Sequence, residues 1–213
     1  MVSRPLAHLP PSTACILASA SPRRRALLAQ LAIPFTVLPA NIDERVWPDE
    51  VPWAYTRRVA YAKARHVAQQ CPAAVVLGAD SVVVLEQQIL GKPRDRDDAR
   101  QMLTRLSGRV HTVITAVAVL HHARHFVCLD AVQTLVHFHP LSPAVIEQYI
   151  ATGEPMDKAG AYAIQGAAAA FVASWEGCYT NVVGLPLRRT AALLQAAGLQ
   201  LPIWPERSAQ SAS

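Results

Sequence analysis

VHTVITAVAVL at residues 110–120 and HFVCLDAVQTLVHF at residues 125–138 decide the class of the fold. Both runs are rich in β-branched residues and alternate with the period of two that a strand requires. Only His121 to Arg124 stand between them, so they predict two long antiparallel strands that turn near His122 and Ala123. Long antiparallel neighbours do not belong in a pure doubly wound sheet, whose strands are joined by crossover helices. Upstream, Asp97 to Leu106 reads as a helix stopped by Gly108, and Ala74 to Leu77 as an apolar strand ending at Gly78-Ala79-Asp80. Val82 to Leu85 resumes the strand before a turn at Glu86-Gln87-Gln88. Trp53 to Gln69 has helical spacing, with Tyr55, Val59, Ala62 and Val67 toward the core, and Phe35 to Leu38 reads as a strand. Ala14 to Ala18 is a short apolar run, after which Ser21-Pro22 puts a hydroxyl at an N-cap and proline at the first helical position. Downstream, Ser142-Pro143 caps a helix to Ala151, Ala168 to Ser174 is strand-like, and Leu187 to Ala197 is a closing helix ended by Gly198. Mixed helices and strands with long antiparallel members predict an α/β (mixed α+β) fold around a curved mixed sheet.

The chain has 213 residues, 52% apolar and 16% charged, which suits one folded unit and excludes a disordered or collagen-like chain. Residues 1–13 and 205–213 lack periodicity and read as flexible tails, leaving 14–204 as a single domain. The longest uncharged stretch, Ala159 to Trp175, is interrupted by Gly160, Gln165 and Gly166 and falls short of the roughly 20 residues a membrane span needs. Arg4 and the tripeptide Ala18-Ser19-Ala20 imitate a secretory signal, but Pro10 and Pro11 break its apolar core. Cys15, Cys71, Cys128 and Cys178 form no C-x-x-C pair, so a reduced, cytoplasmic protein without a disulfide framework is expected. A net charge of +5 favours anionic ligands without choosing among nucleotides, nucleic acid and membranes.

Ser19-Ala20-Ser21-Pro22-Arg23-Arg24-Arg25 lies where a strand meets a helix, so free N–H groups and cations converge on a corner suited to phosphate. The ordinary reading is a Ser-Pro cap beside solvated arginines. Three arginines nevertheless oppose the helix dipole, which favours an anion there. Asp80 and Ser81 follow a buried strand, where ligands of open sheets gather, although a strand-ending Asp is also a common turn former. Ile42-Asp43-Glu44 alone would be solvated charge; with Asp80, Glu44 could hold a hard cation such as Mg²⁺ through oxygen. Lys63 on the long helix would ordinarily be surface, whereas Lys92 sits in a tight Gly91-Lys92-Pro93 setting. Gln165, in the small-residue run Asp157 to Gly166, carries an amide donor and acceptor that could read a base edge; close packing is the bland alternative. The eight histidines, His121-His122 and His137-x-His139 among them, have no metal spacing and read as strand and turn residues.

Taken in order, Ser19-x-Ser21-Pro22-Arg23-Arg24, Asp43-Glu44, Lys63-Ala64-Arg65, Gly78-Ala79-Asp80-Ser81, Lys92-Pro93, Leu106-Ser107-Gly108-x-x-His111-x-Val113, Asp157-Lys158-Ala159-Gly160-x-Tyr162-x-Ile164-Gln165-Gly166 and Val182-Val183-Gly184-Leu185-Pro186 resemble the Maf family of nucleoside triphosphate pyrophosphatases. The resemblance runs from Leu17 to Leu187, and the Gln165-Gly166 block is similar to the branch acting on dTTP and UTP. It implies a two-lobed fold similar to inosine triphosphate pyrophosphatases, a site in a central cleft, and a homodimer. It further implies an Mg²⁺- or Mn²⁺-dependent hydrolase with a house-cleaning role in the nucleotide pool, on modified pyrimidine nucleotides as well. By position, Asp80 matches the family's catalytic acid or base, and Glu44, Lys63 and Lys92 its polar cleft residues. Arg23, Ser81 and Gln165 match positions that select the substrate. The expected assignment is therefore Asp80 and Glu44 as catalytic residues and metal ligands, with Ser19, Ser21, Arg23, Arg24, Lys63, Lys92, Ser81 and Gln165 binding the nucleotide. Selectivity by Gln165 also needs neighbours that lock its amide, such as the Ser81 hydroxyl or nearby backbone. Ser81 stands where threonine is usual, Ala163 where glycine is usual, and Ala167 to Ala170 replace a glycine-rich stretch. A sister branch acts on 7-methyl-GTP, and a non-catalytic role in septum formation or nucleic-acid binding is the reading from another class. Membrane and nucleic-acid partners are not expected.

Overall fold

The computed structural model describes residues 14–202, so the tails predicted at 1–13 and 205–213 lie outside the described residues. The elements are β1 (Cys15–Leu17), α1 (Pro22–Ala29), β2 (Phe35–Val37), α2 (Pro52–Gln70), β3 (Val75–Leu85), β4 (Gln88–Leu90) and α3 (Arg96–Leu106). They continue with β5 (Val110–His121), β6 (Phe126–Phe138), α4 (Pro143–Ala151), β7 (Val172–Glu176), α5 (Tyr179–Val183) and α6 (Leu187–Ala196). All seven strands join one mixed sheet in the order β2-β1-β3-β5-β6-β7, with β4 paired to β3. β1 runs parallel to β2 and β3, and the rest are antiparallel, as the long 110–138 hairpin requires.

The pleat of β3 sorts the core onto two faces. Val75, Leu77, Ala79, Val83 and Leu85 pack with Leu28 of α1, Leu103 of α3, Ile150 of α4 and Leu194 of α6. Val76 meets Ala60, Ala64 and Val67 of α2 on the opposite face, and Val82 and Val84 meet Tyr55 and Val59. One long helix therefore covers one face, and the five shorter helices, with Val183 of α5 in the same cluster, cover the other.

β3 corrects the expectation that a strand ends at Asp80: pairing to β5 continues unbroken from Val75 to Val84, and Asp80 lies mid-strand opposite Ala116. Gly78 reads as a break but answers to close packing. A Cβ there would lie 2.7 Å from the Ala64 nitrogen and 2.9 Å from its Cβ. Gly78→Ala is accordingly expected to push α2 off the sheet and cost about 2 kcal/mol, lowering Tm by roughly 4–8 °C in a thermal melt. The strand predicted over Ala168 to Ser174 is displaced: Ala167–Phe171 form a 3-10 turn, which alanines suit, and β7 begins at the β-branched Val172. β4 and α5, of three and five residues, are too short to show a period in the sequence. Among the described residues no helix is long and apolar enough to cross a membrane, and all four cysteines are free.

Candidate active site

The site begins as a gap in the sheet. β5 occupies one edge of β3 along nearly its whole length. On the other edge β1 pairs only with Val75 to Leu77, and β4 only with Val83 to Leu85. Gly78 to Val82 thus present an open strand edge, and a cleft of about 730 Å³ lies against it. The segment after β1, the loop before α2, the turn after β4, and residues 157–165 wall this cleft. It is lined by all ten predicted residues: Ser19, Ser21, Arg23, Arg24, Glu44, Lys63, Asp80, Ser81, Lys92 and Gln165.

Asp80 and Ser81, adjacent in β3, point to opposite faces. Asp80 faces α2, is only 6% exposed, and accepts a hydrogen bond from Lys63 Nζ at 2.9 Å through Oδ1. The same ammonium donates to Glu44 Oε2 at 2.8 Å. Burial raises the Asp80 carboxyl above the usual range, with Lys63 and Arg24 opposing that rise. One lysine thus bridges two carboxylates, each with its second oxygen unpartnered among the described residues. Asp43 turns away and forms a fork with Arg45 instead.

Ser81 faces the other helices. Its hydroxyl accepts from Arg24 Nη2 at 2.9 Å and shares a hydrogen bond with Thr115 at 2.8 Å. Those partners correct the expectation that Ser81 locks the Gln165 amide: strand alternation commits the hydroxyl to α1 and β5. Arg24 is buried and brackets three segments, donating to Ser81, to Ser19 Oγ at 3.3 Å and to the Gly184 carbonyl at 2.9 Å. Desolvation lowers its pKa, while Asp80 and Glu44 favour its charge. Ser21 caps α1, its Oγ accepting from the Arg24 N–H at 3.4 Å. Arg23 is half-buried and Arg25 exposed, so the three arginines have three different environments.

Lys158, absent from the predicted set, also lines the cleft, paired with Asp157. Five cationic side chains therefore face three acidic ones, an imbalance that suits a polyanion. The turn at Lys92 and the segment at Lys158 are joined by Gly160, whose N–H donates to the Gly91 carbonyl at 3.0 Å. Gly160 has φ of +67°, and a Cβ there would press within 2.9 Å of Val83. Gln165 is exposed, and its flanks are pinned: the Tyr162 hydroxyl meets His111 Nε2 at 2.8 Å, and Glu154 accepts from the Ala167 N–H at 3.2 Å and from Tyr149 at 3.0 Å. Sequence reading missed Tyr162 and Glu154 as supports because their partners lie on other elements. Ala163 has no positive φ, so alanine fits where glycine was the usual residue.

His111 is a buried strand residue among Phe138 and Tyr162, and its Nδ1 lacks a partner. Burial lowers its pKa from 6.5 to about 4. Between those values the unfolded chain binds the proton and the folded one does not, so stability is full above 6.5 and falls as pH drops toward 4. In urea melts, the stability advantage of wild type over His111→Gln is expected to shrink by about 3 kcal/mol from pH 7 to pH 4. An unchanged difference would assign the histidine no such linkage.

Among the described residues no three His, Cys, Asp or Glu side chains gather as a closed metal cage. The free oxygens of Glu44 and Asp80 nevertheless match the open kind of site that Mg²⁺ takes, with one or two carboxylates and the remainder supplied by water and substrate phosphates. The residues present fit that group.

Residues 14–197 match the family model described as Maf-like protein. A dTTP/UTP pyrophosphatase of Anaeromyxobacter dehalogenans is 56% identical over 189 residues, covering 88% of this chain and 95% of that one. The protein of the same name from Myxococcus xanthus is 54% identical over 190 residues, covering 89% and 95%. A HAM1 protein structure from Coxiella burnetii is similar with TM-score 0.45 and 16% identity, covering 59% of this chain and 73% of that chain.

Proposed function

The chain belongs to the Maf family, and on that premise we propose that it is a nucleoside triphosphate pyrophosphatase that hydrolyses dTTP and UTP to the monophosphate and pyrophosphate. The observation that carries the reading is the Lys63 ammonium between Glu44 and Asp80 at an open strand edge, inside a cleft rich in cations.

The overall reaction adds water across the bond between the α- and β-phosphates. The water oxygen attacks the α-phosphorus, the bond to the bridging oxygen breaks, and pyrophosphate leaves. Asp80 is the base: its buried carboxylate keeps Oδ2 for the attacking water while Lys63 fixes Oδ1. Lys63 also holds Glu44 against Asp80 and offsets their repulsion. Arg23, Lys92 and Lys158 attract the triphosphate chain, and Arg24 keeps the Ser19 corner and the Ser81 strand in register behind it. Glu44 and Asp80 would hold Mg²⁺ or Mn²⁺, which when bound neutralises phosphate charge and acidifies a water. A homodimer, a cytoplasmic location and action without nucleic acid belong to the same proposal; the free cysteines agree with a reducing compartment.

Gln165 reads the pyrimidine by pairing its amide with N3–H and a carbonyl of uracil or thymine, a pattern cytosine inverts. The pins at Tyr162 and Ala167 keep that segment in place. A panel of dTTP, UTP, CTP and 7-methyl-GTP is expected to rank the first two highest. Gln165→Ala is expected to lower kcat/KM for dTTP and UTP by roughly five- to 150-fold and the others much less. Equal losses on every nucleotide would remove the base-reading role. 7-Methyl-GTP as the best wild-type substrate would overturn the assigned specificity.

A further inference from the structure

Glu44 sits on the irregular stretch between β2 and α2, residues 38–51, which has no strand or helix to hold it. Its order comes from α2. Arg58, one turn after Tyr55 on that helix, forms a two-pronged ion pair with Glu50, Nε to Oε1 and Nη2 to Oε2, both at 2.6 Å. Its Nη2 also donates to the Arg45 carbonyl at 2.9 Å, and its guanidinium lies 3.9 Å from the centre of the Trp47 ring. Glu50 in turn accepts from the Trp47 N–H at 3.1 Å, closing the turn, and Tyr55 donates its hydroxyl to the Glu44 carbonyl at 2.9 Å. The ion pair is well covered, with side-chain exposures of 18% and 8%. Its charges are therefore less screened than those of a surface pair.

The consequence for Glu44 is geometric. Adjacent carbonyls, those of Glu44 and Arg45, are tethered to Tyr55 and Arg58, and the Glu44 carboxylate is tethered to Lys63 further along the same helix. One helix face thus fixes both the backbone and the side chain of the more exposed carboxylate of the site. We propose that Arg58 is a positioning residue for Glu44, acting through Glu50, Trp47 and the Arg45 carbonyl without touching the nucleotide. This rests on the reading of the cleft as a pyrophosphatase site. The guanidinium fork matters more than its charge, because a lysine cannot grip Glu50 at two points while reaching the Arg45 carbonyl.

The test compares wild type, Arg58→Ala, Glu50→Gln and Glu44→Gln, together with Arg58→Ala in the Glu44→Gln background. Pyrophosphate release from dTTP and amide hydrogen exchange over residues 43–50 are measured in each. Arg58→Ala is expected to lower kcat roughly tenfold to hundredfold with a smaller change in KM, since displacing a catalytic group by about 1 Å has that scale of effect. Glu50→Gln should give a milder loss of the same kind, and exchange over 43–50 should accelerate in both while the core strands stay protected. In the Glu44→Gln background the further loss from Arg58→Ala should be under about twofold, because nothing remains to position. Wild-type kcat and exchange in both Arg58→Ala and Glu50→Gln would overturn the proposal, as would an undiminished loss in the Glu44→Gln background. If Arg58→Ala does not fold, Glu50→Gln alone and combined with Glu44→Gln decides on the same criteria. An inactive wild type would instead refute the pyrophosphatase reading, while the exchange data still judge the tether.

Discussion

Asp80→Asn is expected to lower kcat for dTTP hydrolysis by at least roughly 10², with the melting transition retained. Asparagine keeps the shape at mid-strand, and its amide oxygen can still accept from Lys63, so the sheet has no reason to open. It removes the proposed proton acceptor and one of the two negative charges around the ammonium. The site is sensitive to that charge because Asp80 is buried beside Arg24 and Lys63, where little solvent screens it. KM should change less, since Arg23, Lys92 and Lys158, the proposed phosphate-binding side chains, line other walls of the cleft. A fall under about threefold would transfer the base role to Glu44, the other carboxylate on Lys63.

Stripping divalent cations is expected to reduce turnover to the no-enzyme background, with Mg²⁺ or Mn²⁺ restoring it. The cleft's cations attract a triphosphate, but Lys63 is already shared between two carboxylates, and Arg24 has its hydrogen bonds directed into the protein. That leaves Arg23, Lys92 and Lys158, the last paired with Asp157, to face a tetra-anion whose α-phosphorus must accept more negative density. A metal held by Glu44 and Asp80, as proposed, would fill this deficit. Full activity after metal removal, in the continued presence of chelator, would show that the lysine-bridged carboxylates work without one.

The parts of the fold that announced themselves did so through periodicity and punctuation. The hairpin of residues 110–138 is two long β-branched runs around a short turn, α2 repeats its apolar face, and Ser21-Pro22 and Ser142-Pro143 cap the helices they were expected to cap. Asp80 lines the cleft from mid-strand, where the sequence reads as a strand end. Gly78 marks helix contact instead of a strand end, and that contact is what brings Lys63 over Asp80. The site residues were legible because they fall in ordered blocks, yet the sharing of Lys63 by both carboxylates was not. It depends on a loop folding back over a helix 19 residues away. Arg58 was silent for the same reason. In sequence it is one more basic residue on a helix, and only the folded loop supplies Glu50, Trp47 and the Arg45 carbonyl around it. Ser81 and Gln165 share one cleft, but the strand pleat turns the serine toward Arg24, a distinction that spacing along the chain does not carry.

On the proposed mechanism the cleft directs water to the α-phosphorus. Hydrolysis of dTTP by the purified protein in ¹⁸O-water, with both products analysed by mass spectrometry, tests it directly. One ¹⁸O atom in thymidine monophosphate and none in pyrophosphate is the predicted result. Label in the pyrophosphate, or release of inorganic phosphate with thymidine diphosphate, would contradict it.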